Sequence, residues 1–293
     1  MNLASRLKLA KQRAEAIVTE MGIVAPSVDP FAIAEEHGIE VQAKPAEVEG
    51  VSGMLLRHGD SFGILYSTNV ASIGFQRFSV AHELGHYFLD GHCDQLLSTG
   101  LHVSRAGQGS PDPFEQEADA FASGLLMPRA LLRPLLTRRE LCLDLLTEIA
   151  DAFQTSLSAT GLRIAEMSHD PMALVVSRGG TIEYCQMSEA MKPHARRGWL
   201  KRGDRLPPGS VSALLAGDGG AVLRAGRRDA DVDIADWYDC EGRVHGREEA
   251  IGLGGYGRVL TLLTCASADE PEDDDPEAEQ RDLVDRWTPR FGR

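Results

Sequence analysis

The sequence is poor in cysteine and contains no long apolar segment. Its 293 residues include five scattered cysteines: Cys93, Cys142, Cys185, Cys240 and Cys265. An odd number without a CxxC pair argues against a disulfide framework and favours a reducing compartment. No apolar run approaches the roughly 18 residues of a membrane span. The N-terminal segment carries charges every few positions, so no secretory signal is predicted either. We therefore expect a cytoplasmic protein that does not enter a membrane.

A basic charge balance is also missing. The formal net charge is −14. Residues 269–285 hold ten acidic side chains and one arginine, a net −9, which leaves −5 for the rest of the chain. A mildly acidic folded part argues against a dedicated nucleic-acid-binding protein. The acidic run belongs to a polar tail, 267–293, that we expect to be disordered.

The hydrophobic pattern predicts an α+β protein. The 43% of hydrophobic residues can fill real cores, and the length corresponds to about two domains. Helical periodicity predicts a first helix over 3–22 and a second that begins at Pro30, and the segment 58–61 is the expected turn of a strand pair. Residues 93–113 are rich in Gly, Ser, Pro and His and predict a loop. Short strands between glycine-rich turns predict a second α+β domain over 169–266.

The most informative stretch is HELGH, at positions 82–86. Two histidines four positions apart on a helix are separated by about one turn, so His82 and His86 face the same way. This geometry suits two imidazole ligands of one zinc ion. Glu83 lies beside them and is a candidate general base for a metal hydrolase. Because so short a motif also arises by chance, a third ligand is needed to support a metal site.

His92 is one candidate for the third ligand. It lies six residues after His86 and completes HExxHxxxxxH, the spacing of the metzincins. That pattern places a glycine three residues after the second histidine, where the chain turns back sharply. Here Leu89 occupies that position, and Gly91 comes too late. Without the turn, the chain would carry His92 past the metal.

The acidic run at 115–119 offers the other candidates. Glu115 and Asp119 are one turn apart on a predicted helix. Glu115 could therefore bind zinc while Asp119 hydrogen-bonds the far nitrogen of a ligand histidine and orients its ring. Glu117 is the alternative ligand on the same helix. We favour Glu115 over both Glu117 and His92, and the choice between them stays open.

Two sequence blocks together resemble the ImmA/IrrE family of metallopeptidases. They are RFSVAHELGHYFL and, after a variable loop, FEQEADAFASGLLMP. The similarity extends over about residues 5–167. It implies an HExxH zinc peptidase with a thermolysin-like site, and it assigns zinc binding to three residues and base catalysis to Glu83. The implied ligands are His82, His86 and Glu115. Asp119 stands where the family often has Asn, which still permits a hydrogen bond to a ligand.

The resemblance also implies an architecture. We expect a zincin-like peptidase domain over 1–128, a helix-turn-helix-like helical extension over 129–168, and a C-terminal α+β domain over 169–266. By analogy with the family, that last domain could sense a small molecule. In the extension, Ser156 is expected to cap the second helix. That helix offers only Arg163 to base edges, so we expect a structural helix pair and no direct DNA binding.

Two further side chains are candidates for the cleft. Tyr66, at the end of a predicted strand, and His92 could stabilise developing negative charge on a substrate. The function predicted from these observations is a zinc-dependent endopeptidase. The family resemblance implies a specific cytoplasmic protein as substrate, a helix-turn-helix transcriptional repressor in a stress-response or mobile-element switch. The alternative is a non-catalytic zinc-containing regulator that binds a partner protein or DNA; an intact Glu83 favours the enzyme.

Overall fold

The computed structural model describes residues 1–44, 51–104, 110–195, 200–238 and 243–265. The helices in these ranges are α1 Leu3–Glu20, α2 Pro30–Glu36, α3 Ile73–Phe88, α4 His92–Leu96, α5 Pro113–Leu126, α6 Arg129–Leu136, α7 Leu143–Phe153, α8 Leu157–Met167, α9 Val211–Ala216 and α10 Gly219–Leu223. The strands are β1 Glu40–Lys44, β2 Gly53–His58, β3 Ser61–Ser67, β4 Leu101–Ser104, β5 Met172–Arg178, β6 Thr181–Met187, β7 Arg227–Asp233, β8 His245–Gly252 and β9 Arg258–Cys265. The predicted α+β class is confirmed. The acidic tail, 267–293, lies outside the described residues.

The first sheet has the strand order β1-β3-β2-β4. β1 pairs with β3 in parallel, whereas the other neighbours are antiparallel. β2 and β3 form a tight hairpin in which Gly59 adopts a φ of +61°, a left-handed conformation that glycine accepts without strain. This confirms the turn predicted at 58–61. β4 is an edge strand of this sheet.

Three helices build the layer above the first sheet. α3 begins after Ser72, whose side chain accepts a hydrogen bond from the Phe75 backbone. α5 begins after Asp112, which caps its first turn in the same way. α1 packs on α5 at Gly124, where an added Cβ would lie 3.0 Å from the Lys11 backbone. Small residues thus bring the three helices close together over a shared apolar core.

The second sheet is antiparallel throughout, in the order β6-β5-β9-β8-β7. Alternating residues of the inner strand β5 pack on opposite sides, which explains its near-continuous apolar sequence. Leu174 and Val176 join a core with α7 and α8, whereas Ala173 and Val175 join a core with Trp237. The helices of the expected extension, 129–168, therefore share a core with the second sheet. The division of the chain into separate domains stays a proposal.

The helix pair α7–α8 buries its one candidate for base contact. Ser156 caps α8 by accepting a hydrogen bond from the Ala159 backbone, as predicted. Arg163 is only 3% exposed. Its guanidinium donates to the Met127 carbonyl at 3.1 Å and contacts Glu15 at 2.6 Å and Glu166 at 3.2 Å. Arg163 thus ties α8 to α1 and to the end of α5, and it is not available to read a base.

The predicted loop over 93–113 is wrong in part, because it contains the end of α4 and all of β4. β4 is only four residues long and is defined by its pairing with β2, which lies about 50 residues earlier. So short a strand leaves little periodic signal in the sequence. None of the helices in the described ranges combines the length and the apolarity needed to cross a membrane.

Replacement of Arg163 tests this buried junction. We expect Arg163→Met to lower the free energy of unfolding by about 3 kcal/mol, since it removes the donor of the buried Met127 carbonyl and the cation of Glu15, although Glu166 keeps its contact with Lys11. Arg139→Met is the matched control, because Arg139 pairs with Glu148 on the surface of the same helical region, and solvent screens an exposed ion pair so that it adds little to stability. Urea unfolding of both variants measures the difference. An equal loss of unfolding free energy in the two variants would show that the buried contacts of Arg163 do not stabilise the protein more than a surface pair does.

Candidate metal centre

The two histidines of HELGH lie on the buried side of α3. Their Nε2 atoms are 3.1 Å apart, and both side chains are almost completely shielded from solvent. They face the same way because four helical residues make about one turn. The helix is buried over Ser79–His86, which explains why its sequence is apolar between the polar groups.

α5 brings a carboxylate to the same point. Glu115 Oε2 lies 3.4 Å from His82 Nε2, and Glu115 Oε1 lies 3.3 Å from His86 Nε2. The approach depends on Gly85, because a Cβ at that position would lie 3.0 Å from Ala118 Cα and 3.2 Å from Phe121 Cβ. A glycine inside the motif thus allows the backbones of α3 and α5 to come close.

The three donor atoms fit a tetrahedral cation. Ligands about 2.0–2.1 Å from a zinc ion lie about 3.3–3.4 Å from each other in a tetrahedral site. His82 Nε2 and His86 Nε2 are 3.1 Å apart, His86 Nε2 lies 3.3 Å from Glu115 Oε1, and His82 Nε2 lies 3.4 Å from the other oxygen of the same carboxylate, Oε2. Among the described residues, His82, His86 and Glu115 form the one group whose arrangement could hold a metal ion. The three ligands that the sequence predicts are therefore the three that the structure brings together.

The charge states of these groups also suit a metal. Burial lowers the pKa of His86 to about 3, so its ring is neutral. Burial lowers the pKa of His82 too, but hydrogen bonds to Asp119 and Glu115 outweigh it and raise the pKa to about 10. Burial raises the pKa of Glu115, yet hydrogen bonds from three histidines hold that pKa well below its usual range. A cation would meet a carboxylate and a neutral ring, and would compete with one proton at His82.

Asp119 lies where the sequence predicts a supporting carboxylate. Its Oδ1 is 2.8 Å from His82 Nδ1. A carboxylate at that nitrogen fixes the ring and leaves Nε2 directed at Glu115. Glu115 and Asp119 therefore approach His82 from its two ring nitrogens, since they are separated by one turn of α5.

Glu83 is a buried carboxylate without a hydrogen-bond partner among the described residues. Its side chain is 0% exposed, and neither carboxylate oxygen is paired. Burial raises the pKa of Glu83 to about 7, whereas the positive charge of His82 and the Ser104 hydroxyl, which lies near the carboxylate but outside hydrogen-bond geometry, oppose the rise. Gly53 makes room for the carboxylate, since an added Cβ would lie 2.4 Å from Glu83 Oε1. Unpaired buried carboxylates are rare and call for a functional explanation.

The two rival ligands lie behind His86. His92 Nδ1 is 3.0 Å from His86 Nδ1, the nitrogen that faces away from Glu115, and His92 Nε2 is 2.9 Å from Glu117 Oε2. Burial lowers the pKa of His92. α3 ends before Leu89, and the chain turns at Gly91 with a φ of +81°. This path places the His92 ring on the far side of His86, so neither His92 nor Glu117 joins the three donors.

His102 is the site residue that sequence reasoning missed. Its Nε2 is 2.9 Å from Glu115 Oε1, and its ring lies 4.6 Å from that of His86 between centroids. His102 pairs with Leu55 across β2 and shares the buried face of that strand, whereas Leu101 and Val103 are exposed. The alternation Leu-His-Val was the available signal, but three residues are too few to distinguish a strand from a loop.

Tyr66 lies next to this site without a contact that defines its role. It pairs with Gly53 across the hairpin, so it shares the face of the sheet towards Glu83. Its ring packs edge to face on Phe31, with centroids 5.2 Å apart. The roles of Tyr66 and His92 in stabilising a substrate stay predictions.

Comparison with known proteins supports the peptidase resemblance. The family model described as Peptidase_M78, IrrE N-terminal-like domain, matches residues 34–165. This part of the chain is thus an IrrE N-terminal-like domain, which confirms the similarity to the ImmA/IrrE family. The matched range includes the HELGH motif and the helix that carries Glu115.

A solved structure supports the overall fold. A Mycobacterium tuberculosis transcriptional regulator aligns with a TM-score of 0.56 at 15% identity, covering 90% of this chain and 82% of that one. At this identity the similarity concerns the fold alone. No curated protein matches the sequence.

The metal content of ligand variants tests the site. We expect about one zinc ion per wild-type chain after loading, and little or none in Glu115→Ala, because two histidines alone make an incomplete site. Gln116→Ala is the matched control, since Gln116 lies beside Glu115 on α5 and its side chain donates to the Ser110 carbonyl instead of contacting the three donors. Elemental analysis of the purified proteins gives the content. Equal zinc in Glu115→Ala and Gln116→Ala would contradict the assignment.

Proposed function

We propose that this protein is a zinc metalloendopeptidase whose ligands are His82, His86 and Glu115 and whose general base is Glu83. The observation that carries the proposal is the buried, unpaired Glu83 carboxylate next to three donors at tetrahedral spacing. The IrrE N-terminal-like domain at 34–165 supports it. A purely structural metal site needs the ligands but has no use for an unpaired carboxylate beside them.

The donor set favours zinc. Two imidazoles and one carboxylate are a common ligand set of catalytic zinc sites, which keep a further position open. Zinc held there would polarise a peptide carbonyl and make water a stronger acid. Glu83 would accept the proton of the attacking water and later pass it to the leaving amine. Its oxygens are free for this task, because no described residue hydrogen-bonds them.

Two neighbouring side chains hold the proposed metal ligands in place. Asp119 holds the His82 ring through Nδ1, which keeps Nε2 directed inward. His102 contacts the Glu115 carboxylate and restricts its rotation. Both contacts reduce the freedom of ligands before any metal binds, and such preorganisation raises affinity.

An edge strand beside the site fits a protein substrate. β4 pairs with β2 on one side and lies at the margin of the first sheet. Its side chains alternate, so that His102 points towards the donors while Leu101 and Val103 are exposed. An extended segment of a substrate could add to this edge through main-chain hydrogen bonds. This favours an endopeptidase acting on an unfolded or locally unfolded segment.

We further propose that the substrate is a cytoplasmic transcriptional repressor with a helix-turn-helix. The support is the resemblance to the ImmA/IrrE family, which implies such a substrate in a stress-response or mobile-element switch. Direct DNA binding by this chain is not proposed, since Arg163 on α8 is buried in ion pairs. No two of the four cysteines in the described ranges form a disulfide with each other, as expected in a reducing compartment. The domain around the second sheet would have a sensory role.

Replacement of Glu83 tests the enzyme directly. We expect Glu83→Gln to keep the zinc of the wild type but to cleave its substrate about 10²–10⁴-fold more slowly, as expected for loss of a general base. The two zinc-loaded proteins are incubated with lysate of cells that lack this protein, and new N-termini are identified by mass spectrometry. Termini that appear only with the wild type identify the substrate. Identical patterns would favour the alternative, a non-catalytic regulator.

Replacement of Gly53 tests the position of the base without touching it. A Cβ at residue 53 would displace the Glu83 carboxylate. We expect Gly53→Ala to retain zinc and to lower cleavage of the identified substrate by about 10²-fold, the effect of moving a reacting group by roughly 1 Å. Gly63→Ala is the control, since its Cβ would meet only ordinary contacts, the nearest at 3.6 Å. Similar rates for both variants would show that the room at Gly53 is not needed.

A further inference from the structure

A chain of buried polar groups extends from His86 away from the metal donors. His86 Nδ1 meets His92 Nδ1 at 3.0 Å, and His92 Nε2 meets Glu117 Oε2 at 2.9 Å. The second Glu117 oxygen forms an ion pair with Arg6 of α1. His92 is 1% exposed and Glu117 7% exposed, so this chain is almost fully shielded from water. The proposed mechanism makes no use of it.

The chain fixes where the protons lie. Glu117 is ion-paired to Arg6 and is therefore a carboxylate, which can only accept hydrogen bonds. His92 must then donate from Nε2, and in a neutral ring its Nδ1 is left as an acceptor. The contact between the two Nδ1 atoms needs one donor, so His86 must carry its proton on Nδ1. The lone pair of His86 is thereby placed on Nε2, the atom that faces Glu115 and His82.

Packing holds the His92 ring in this orientation. Its edge meets the Phe114 ring at a centroid distance of 4.8 Å with an interplanar angle of 78°. The Arg6 guanidinium lies over the Phe114 ring, 5.4 Å from the ring centroid. Arg6 thus contacts both Glu117 and Phe114, and a rotation of His92 would break its contact with Glu117.

We infer that His92 is a positioning residue, which accepts a hydrogen bond from the Nδ1–H group of His86, holds the tautomer that binds metal, and so sets the affinity of the site. The inference rests on the proposed metal site. It reassigns the two residues that the sequence offered as alternative ligands, because Glu117 and His92 act on the ligand His86 instead of on the metal. Hydrogen-bond partners of ligand histidines usually change metal affinity by about 10–100-fold.

Two substitutions separate this role from simple packing. His92→Phe fills the cavity and keeps the contact with Phe114 but offers no acceptor to His86. His92→Asn is smaller, yet its side-chain oxygen occupies nearly the position of Nδ1 and can accept the same hydrogen bond. A packing role would favour Phe over Asn, whereas a positioning role favours Asn over Phe. His37→Phe is the control, since His37 is a histidine of the same domain that packs on Phe88 and Tyr87.

The measurement is the zinc dissociation constant of the full-length proteins, obtained by competition with a chromophoric chelator. We expect His92→Phe to bind zinc about 10–100-fold more weakly than the wild type. His92→Asn should recover most of the affinity, and His37→Phe should leave it unchanged. Thermal unfolding of the metal-free proteins shows whether each variant is folded. In ¹⁵N-labelled zinc-loaded wild type, the His86 ring should carry its proton on Nδ1, and His92→Phe should alter that signal.

Three outcomes would overturn the inference. Wild-type affinity in His92→Phe, with loss in Glu115→Ala, would leave the metal site in place and remove the role of His92. Equal loss in His92→Phe and His92→Asn, with both proteins folded, would show that the acceptor is not what matters. Zinc binding that survives Glu115→Ala but not either His92 variant would make His92 a ligand. A folded wild type that binds no zinc would instead refute the proposed function itself.

Discussion

The close contact between α3 and α5 is the constraint on which the site depends. The histidines come from one helix and Glu115 from the other, so the distance between the helices sets the spacing of the donors. Gly85 permits that distance, because any Cβ there would press on Ala118. Metal sites tolerate errors of only about 0.2 Å in ligand distances. Gly124 allows the same kind of close contact between α5 and α1, where the Lys11 backbone approaches α5. The second contact keeps α5 from moving away from α3.

A buried polar centre in an apolar layer must be stabilised group by group. Apolar side chains from the same turns of α3, such as Val80 and Leu84, belong to the core around it. Unpaired charges in such surroundings cost several kcal/mol. His82, His86 and Glu115 offset this cost by contacting each other and their supporting partners. Glu83 does not, since its oxygens are unpaired among the described residues. Glu83 lies beside the three donors, where hydrolysis needs a base. The proposed function therefore rests on this carboxylate.

The sequence predicted what depends on local geometry and left open what depends on the path of the chain. One helical turn places His82 beside His86, and the second block identified Glu115. The position of His92 could not be predicted, because it depends on the backbone turn at Gly91. His102 was missed because β4 exists only through pairing with a strand 50 residues away. The partner of Arg163 was not predicted either, since Glu15 on α1 holds its guanidinium in the interior. His102 and Arg163 thus each depend on a partner that is distant in the sequence.

The structural unit that holds the site is larger than the matched segment, 34–165. α1 precedes it, but its residues reach both ends of the structure around α5. Arg6 pairs with Glu117 behind the metal donors. Two turns further along, Glu15 pairs with Arg163 of α8 and accepts a hydrogen bond from the Arg129 backbone. Without α1, the buried Glu117 carboxylate and the buried Arg163 guanidinium would each lose one of their partners. Loss of a partner from a buried ion pair destabilises a fold, so the metal centre and the helical region both depend on a helix that the matched segment, 34–165, does not include.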